Sequence, residues 1–143
     1  MEEEKKHYAG FGYRFVAFCI DRVIVGVVGY GLGFVLGFLY ASITSGSHVT
    51  GLLGNSLSVI LMWLYYAGFE SSRHQATLGK RIVGVRVTDT VGNRISFGTA
   101  TVRHFAKILS WLTLGIGFLM ILWTKRRQGL HDKIAGTVVV KKH

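Results

Sequence analysis

The chain has a single cysteine, Cys19, among its 143 residues. One thiol can form neither an internal disulfide framework nor a thiolate metal site, and Cys19 is expected to be an inert packing residue of the first apolar helix. Acidic residues are also scarce: seven Asp and Glu stand against 17 Lys and Arg, a formal net charge of +10. In a soluble protein that excess would suggest nucleic acid. Here the basic residues flank apolar blocks instead of alternating with aromatics along one segment, so nucleic acid is not an expected partner. Catalytic patterns are missing too. For a phosphate loop GxxxxGK[ST] ending at Gly79-Lys80, His74 stands where the first glycine is needed, and Arg81 where Ser or Thr would hold magnesium. Gly31 and Gly33 lack the third glycine of a dinucleotide fingerprint, because Leu36 occupies its place. His74, His104 and His131 have no ligand spacing, and no nucleophile has a base and an orienting acid near it. No metal, cofactor or enzymatic reaction is therefore expected.

What the sequence has in abundance is apolar residues gathered in blocks, 50% of the chain, with a mean hydropathy of +0.39. Within the stretch Phe11 to Ile43, the 21 residues from Val23 onward carry no charge, and Leu52 to Phe69 forms a second uncharged block. A spanning helix needs about 20 residues. The expected fold is an α-helical integral membrane protein forming one domain over residues 1–143, with transmembrane helices at about 11–43 and 52–69. The mixed-charge start MEEEKKHYAG and the lack of a cleavage site after the first block argue against a signal peptide. The connection Ser42 to Gly51 has no Lys or Arg. Lys5, Lys6, Arg14 and Arg22 precede or open the first block, and seven further cations from Arg73 to Lys107 follow the second. The positive-inside rule then places the connection outside and the N-terminus in the cytoplasm, in a multi-pass protein of the cell (inner) membrane.

A third hydrophobic segment covers about 101–124, with its apolar part at Ile108 to Thr124. Six cations come after it: Lys125, Arg126, Arg127, Lys133, Lys141 and Lys142. A full third span would export all six. The Leu114-Gly115-Ile116-Gly117 turn favours a re-entrant hairpin, with the full span as the alternative. Alternation of Val83, Val85 and Val87, the turn-like Val91-Gly92-Asn93, and then Ile95 and Phe97 predict a β-hairpin over 82–97. Residues 136–142 supply another strand to a small cytoplasmic sheet.

Within the first helix, Arg14 and Asp21 lie on one face, about 10 Å apart along the axis. They are expected to face a common polar partner, since ionisable groups at membrane depth cost at least ~2.5 kcal/mol near its centre and mark function by default. Gly29, Gly33, Gly37 and Ala41 form a stripe that allows close helix approach, either as the seam with the second helix or as a homodimer contact. Asn55 and Glu70, at opposite ends of the second helix, are candidates to line a pathway, their plainer role being a bond to a neighbouring helix. Asp132 reads either as the cap of a short helix or as a second functional carboxylate.

These residues resemble the RDD family of small membrane proteins, named for one arginine and two aspartates. Arg14 and Asp21 in GYRFVAFCIDRVI look like the arginine and first aspartate, and Asp132 in GLHDKIAGTVVV like the second. ATLGKRIVGVRVTD, Gly92, Ser96-Phe97-Gly98 and Arg103 are similar to the middle of the family pattern. The resemblance implies transport: exchange of a monovalent cation such as Na+ for H+ by a homo-oligomer, with Asp21 binding proton and cation in turn. The alternative is a non-transporting scaffold or accessory module, in which Arg14, Asp21 and Asp132 form a structural ion-pair network.

Overall fold

The computed structural model of the chain describes residues 7–43 and 49–142, and the side chains of all of these but 49–53. Lys5, Lys6 and half of the connection expected to face outward, residues 44–48, lie outside the described residues. The first helix, α1, covers Phe11–Ile43, the bounds expected from hydropathy. At 1.5 Å per residue it is about 50 Å long, and it is long and apolar enough to cross a membrane. Apart from the half-buried Tyr40 its second half is exposed, with Tyr30, Phe34, Phe38 and Ile43 uncovered. Helix α2 runs from Val49 to Ser71.

After α2 the chain departs from the sequence reading. Residues Leu78–Val83 form a short helix, α3, whose N-cap Thr77 accepts a bond from the Lys80 amide and whose C-cap Gly84 takes the left-handed conformation, φ 77°. Ile82 and Val83 therefore belong to a helix, and strand β1 covers only Val85–Asp89. The expected 82–97 hairpin does not form. The Asp89 carboxylate accepts bonds from the amides of Val91, Gly92 and Asn93 at 2.9, 2.7 and 2.7 Å, closing a tight loop. Ser96 then caps a helix by accepting from the Thr99 amide at 3.1 Å, so Phe97 opens α4 (Phe97–Leu112) instead of ending a strand.

The partner of β1 is the C-terminal strand β2, Thr137–Lys141, antiparallel with Val87 opposite Val139. On its other side β2 bridges the N-terminal segment at Tyr8, and the Ala9 amide donates to Val139 O at 2.8 Å. Val85, Val87 and Val139 pack with Ala9, Ala67, Ile95 and Ala100 into the apolar core, with Trp63 against it.

The third segment is bent. Leu114 and Gly115 adopt positive φ, 55° and 80°, and the chain turns by 114° between α4 and the stretch Ile116–Leu122, which comprises α5 (Ile116–Leu119) and a 3-10 turn. The expected turn is thus present. Helix α6, Leu130–Ala135, leads into β2, so the chain after the bend returns to the end of the molecule where α2 finishes.

Candidate functional site

Helix α4 is inverted relative to a helix of a soluble protein. Arg103, Ala106 and Ser110 are buried with Ala100, whereas Phe105, Leu109 and Leu112 are exposed. Arg103 points into a charged cluster built from five helices. Its Nη1 donates to Glu70 Oε2 of α2 at 2.6 Å, and its Nε donates to Asp132 Oδ1 of α6 at 2.8 Å. Arg14 of α1 pairs with the second oxygen of Asp132 and also donates to Ala9 O at 3.3 Å. Lys80 of α3 pairs with Glu70, and Lys107 of α4 stands 3.9 Å from it. Glu70, Arg103 and Asp132 are all at most 2% exposed.

Charges this deep persist only when paired and hydrogen-bonded. Burial alone would raise the Asp132 carboxyl, but Arg103 and Arg14 hold it well below the usual carboxylate range. Asp132 also accepts from the Gly129 amide at 3.2 Å, so the helix-cap reading and the network reading both describe the same side chain. Burial pushes the Lys80 ammonium down to about 7 against the pull of Glu70, which sheds part of the surplus positive charge of four cations facing two carboxylates.

Asp21 is elsewhere. It is 1% exposed and accepts from Tyr65 Oη at 2.8 Å, Thr77 Oγ1 at 2.6 Å and the Gly79 amide at 2.8 Å. Among the described residues no cation pairs with it. The expectation that Arg14 and Asp21 share a partner is therefore corrected: two helical turns separate them by more than side-chain reach, with α6 at the level of Arg14 and α3 at that of Asp21. The Thr77-Leu78-Gly79-Lys80 segment, which fails as a phosphate loop, presents its backbone N–H to an anion that the protein itself supplies. Gly79 is required there, because a Cβ would lie 2.2 Å from Ala17 O and 2.9 Å from Asp21 Oδ1.

The other predicted residues separate in the same way. Glu70 joins the ion-pair cluster, whereas Asn55 is exposed fifteen residues earlier on α2, about 22 Å away along the axis. Among the described residues an added Cβ at Gly29, Gly33 or Gly37 would meet nothing within 4 Å, and Ala41 is exposed, so the described side chains of α2 do not pack on the stripe. Cys19 is exposed on α1 and is not a packing residue of this chain's interior. Sequence reasoning missed Arg103 as the hub, together with Lys80, Tyr65 and Thr77. The one available signal was cations and hydroxyls next to apolar runs, which topology counting absorbed as cytoplasmic charge.

His131 adjoins the cluster, 4% exposed, with Nε2 3.4 Å from Asp132 Oδ1 and Nδ1 3.5 Å from Ser110 Oγ. Burial lowers it from 6.5 to about 3, against Asp132, which pulls it up. The unfolded imidazole takes a proton as pH falls through 6.5 while the folded one stays neutral. Stability is therefore fully present above that pH and erodes as pH falls toward 3, by about 1 kcal/mol per unit. In neutral detergent, thermal unfolding between pH 6.5 and 4.5 should show this decline, and His131→Gln should flatten it. An unchanged slope in the variant would remove His131 from the account.

The chain matches the family model described as "RDD family" over residues 8–136. It is 35% identical to the uncharacterized protein YxaI of Bacillus subtilis, across 94% of this chain and 97% of that protein. It is 26% identical to the uncharacterized membrane protein YteJ of the same organism, across 93% and 80%. A proline-rich antigen homolog of Mycobacterium tuberculosis is 34% identical over 66% of this chain and 39% of its own length. No solved structure matches.

Proposed function

We propose that this chain, which belongs to the RDD family, is a membrane-embedded structural module in which a buried ion-pair network locks a small cytoplasmic layer onto its membrane helices. The observation that carries this reading is Arg103, which joins Glu70 of α2 to Asp132 of α6, while Arg14 ties Asp132 to α1. Both carboxylates of the network are saturated by the protein's own cations. That arrangement suits a clamp and leaves neither carboxylate open to a cargo ion.

In this reading α1 and α2 both cross the bilayer, with N- and C-termini in the cytoplasm. Support comes from the exposed apolar surface of α1, from the 23 residues of α2, about 34 Å of helix, and from the positive-inside rule. The bent third segment is re-entrant, supported by the pairing of β2 with β1, which brings the chain back to the end of α2. A thiol placed at Lys142 in a Cys19→Ser background should stay unlabelled by an impermeant reagent on intact cells; labelling there would mean a full third span.

A second reading, exchange of Na+ or another monovalent cation for H+ by a homo-oligomer, is favoured by Asp21 alone. It is a buried carboxylate with no cationic partner among the described residues, and it faces the hydroxyls of Tyr65 and Thr77. Purified protein in liposomes under a sodium or pH gradient separates the two. The clamp reading expects flux no greater than in empty liposomes. Flux that Asp21→Asn abolishes in a folded protein would establish exchange instead.

A further inference from the structure

At the corner between α3 and β1 lies a groove of about 420 Å³, lined among others by Arg73, His74, Arg81, Arg86 and Lys142, with no acidic residue among the described residues of its wall. The four Arg and Lys side chains are exposed, and among the described residues none is in an ion pair. Their backbone is nevertheless fixed. The Lys142 amide donates to Gly84 O at 2.7 Å, and the Val87 amide donates to Gln75 O at 2.7 Å, which holds the segment after α2 against β1. Four like charges gathered on a rigid corner repel one another and concentrate anions.

Arg81 also borders a second, shallow and open groove of about 460 Å³, whose other lining residues are Ile24 of α1 and Leu78 and Ile82 of α3. This one is apolar, and Ile82 is 68% exposed in it. One side chain thus joins a cationic groove to an apolar groove running beside the helix that is long enough to cross a membrane. A nucleic acid or an acidic peptide would satisfy the first groove and leave the second empty. A molecule with an anionic phosphate attached to an acyl chain would fill both.

We propose that this corner binds an anionic phospholipid, its phosphate among Arg73, Arg81, Arg86 and Lys142 and its acyl chain on Ile24, Leu78 and Ile82. The site rests on α1 lying in the bilayer and is independent of what Asp21 does, so failure of the flux assay and failure of lipid binding are separate results.

The test uses the full chain in neutral detergent, titrated with short-chain phosphatidylglycerol, with phosphatidylcholine of the same chain length, and with inorganic phosphate, binding being read by thermophoresis. Phosphatidylglycerol should bind more tightly than either of the others. Arg81→Gln with Arg86→Gln should weaken it about 30-fold, from roughly 1 kcal/mol for each charge removed, with an unchanged melting temperature. Should that double variant fail to fold, Arg73→Gln with Lys142→Gln makes the same measurement from the opposite wall. Equal affinity for phosphatidylcholine would overturn the anionic recognition. Inorganic phosphate binding as tightly as phosphatidylglycerol would make this a soluble-phosphate site and overturn the lipid. Variants that bind like the wild type would remove the groove altogether.

Discussion

Replacing Arg103 with leucine should cost the protein most of its stability. The guanidinium is 2% exposed and contacts two carboxylates that are themselves 1% and 0% exposed. Leucine fills part of the volume but leaves Glu70 with the lysines as its cationic partners and Asp132 with Arg14 alone among the permanent cations, beside the Gly129 amide. Breaking one buried pair costs about 3 to 5 kcal/mol through the charge left uncompensated, and Arg103 serves two. Against a typical total of about 5 to 15 kcal/mol, the variant should accumulate poorly in membranes and, where purified, melt at least about 10 °C lower in detergent. Adding Glu70→Gln and Asp132→Asn removes the stranded charges and should recover part of the loss. If Arg103→Leu alone melts with the wild type, the network does not hold the fold.

Gly79→Ala should act at the other anchor. The added Cβ would meet the Ala17 carbonyl oxygen at 2.2 Å and the Asp21 carboxylate at 2.8 to 2.9 Å. The carbonyl belongs to the backbone of α1 and cannot swing aside, so α3 must withdraw and stretch the bonds from Thr77 and Gly79 to Asp21. Overpacking of this kind costs about 1 to 3 kcal/mol, and the rigid obstacle places the result near the upper end. Gly10→Ala is the control. There, among the described residues, a Cβ meets only the guanidinium end of Arg127, an exposed and flexible side chain, and the loss should stay below about 1 kcal/mol. Equal losses at the two positions would remove the special role of the α1–α3 contact.

Asp89 and Ser96 explain why no hairpin forms where the valine alternation predicts one. The alternation is real, and Val85 and Val87 do face the core, but alternation does not say which strand lies opposite. The side chains of Asp89 and Ser96 favour a loop and a helix start, and they remove the adjacent candidate. The strand then pairs with residues about fifty positions later in the chain. The bend at Leu114-Gly115 is legible in the sequence because it depends on local backbone chemistry. Arg103 is not, because an arginine beside an apolar run reads the same whether it faces the cytoplasm or the interior.

The sequence by itself determined helix α1 and the turn in the third segment. Each is written in a contiguous stretch whose hydropathy or residue types leave little choice. Only the tertiary structure decided that Arg14 meets Asp132, 118 positions away, while Asp21 goes to α3. Partners of a buried charge are set by which helix ends the topology brings to the same depth, and that information is not local. Five helices had to converge before the cost of burying each charge could be offset by the others.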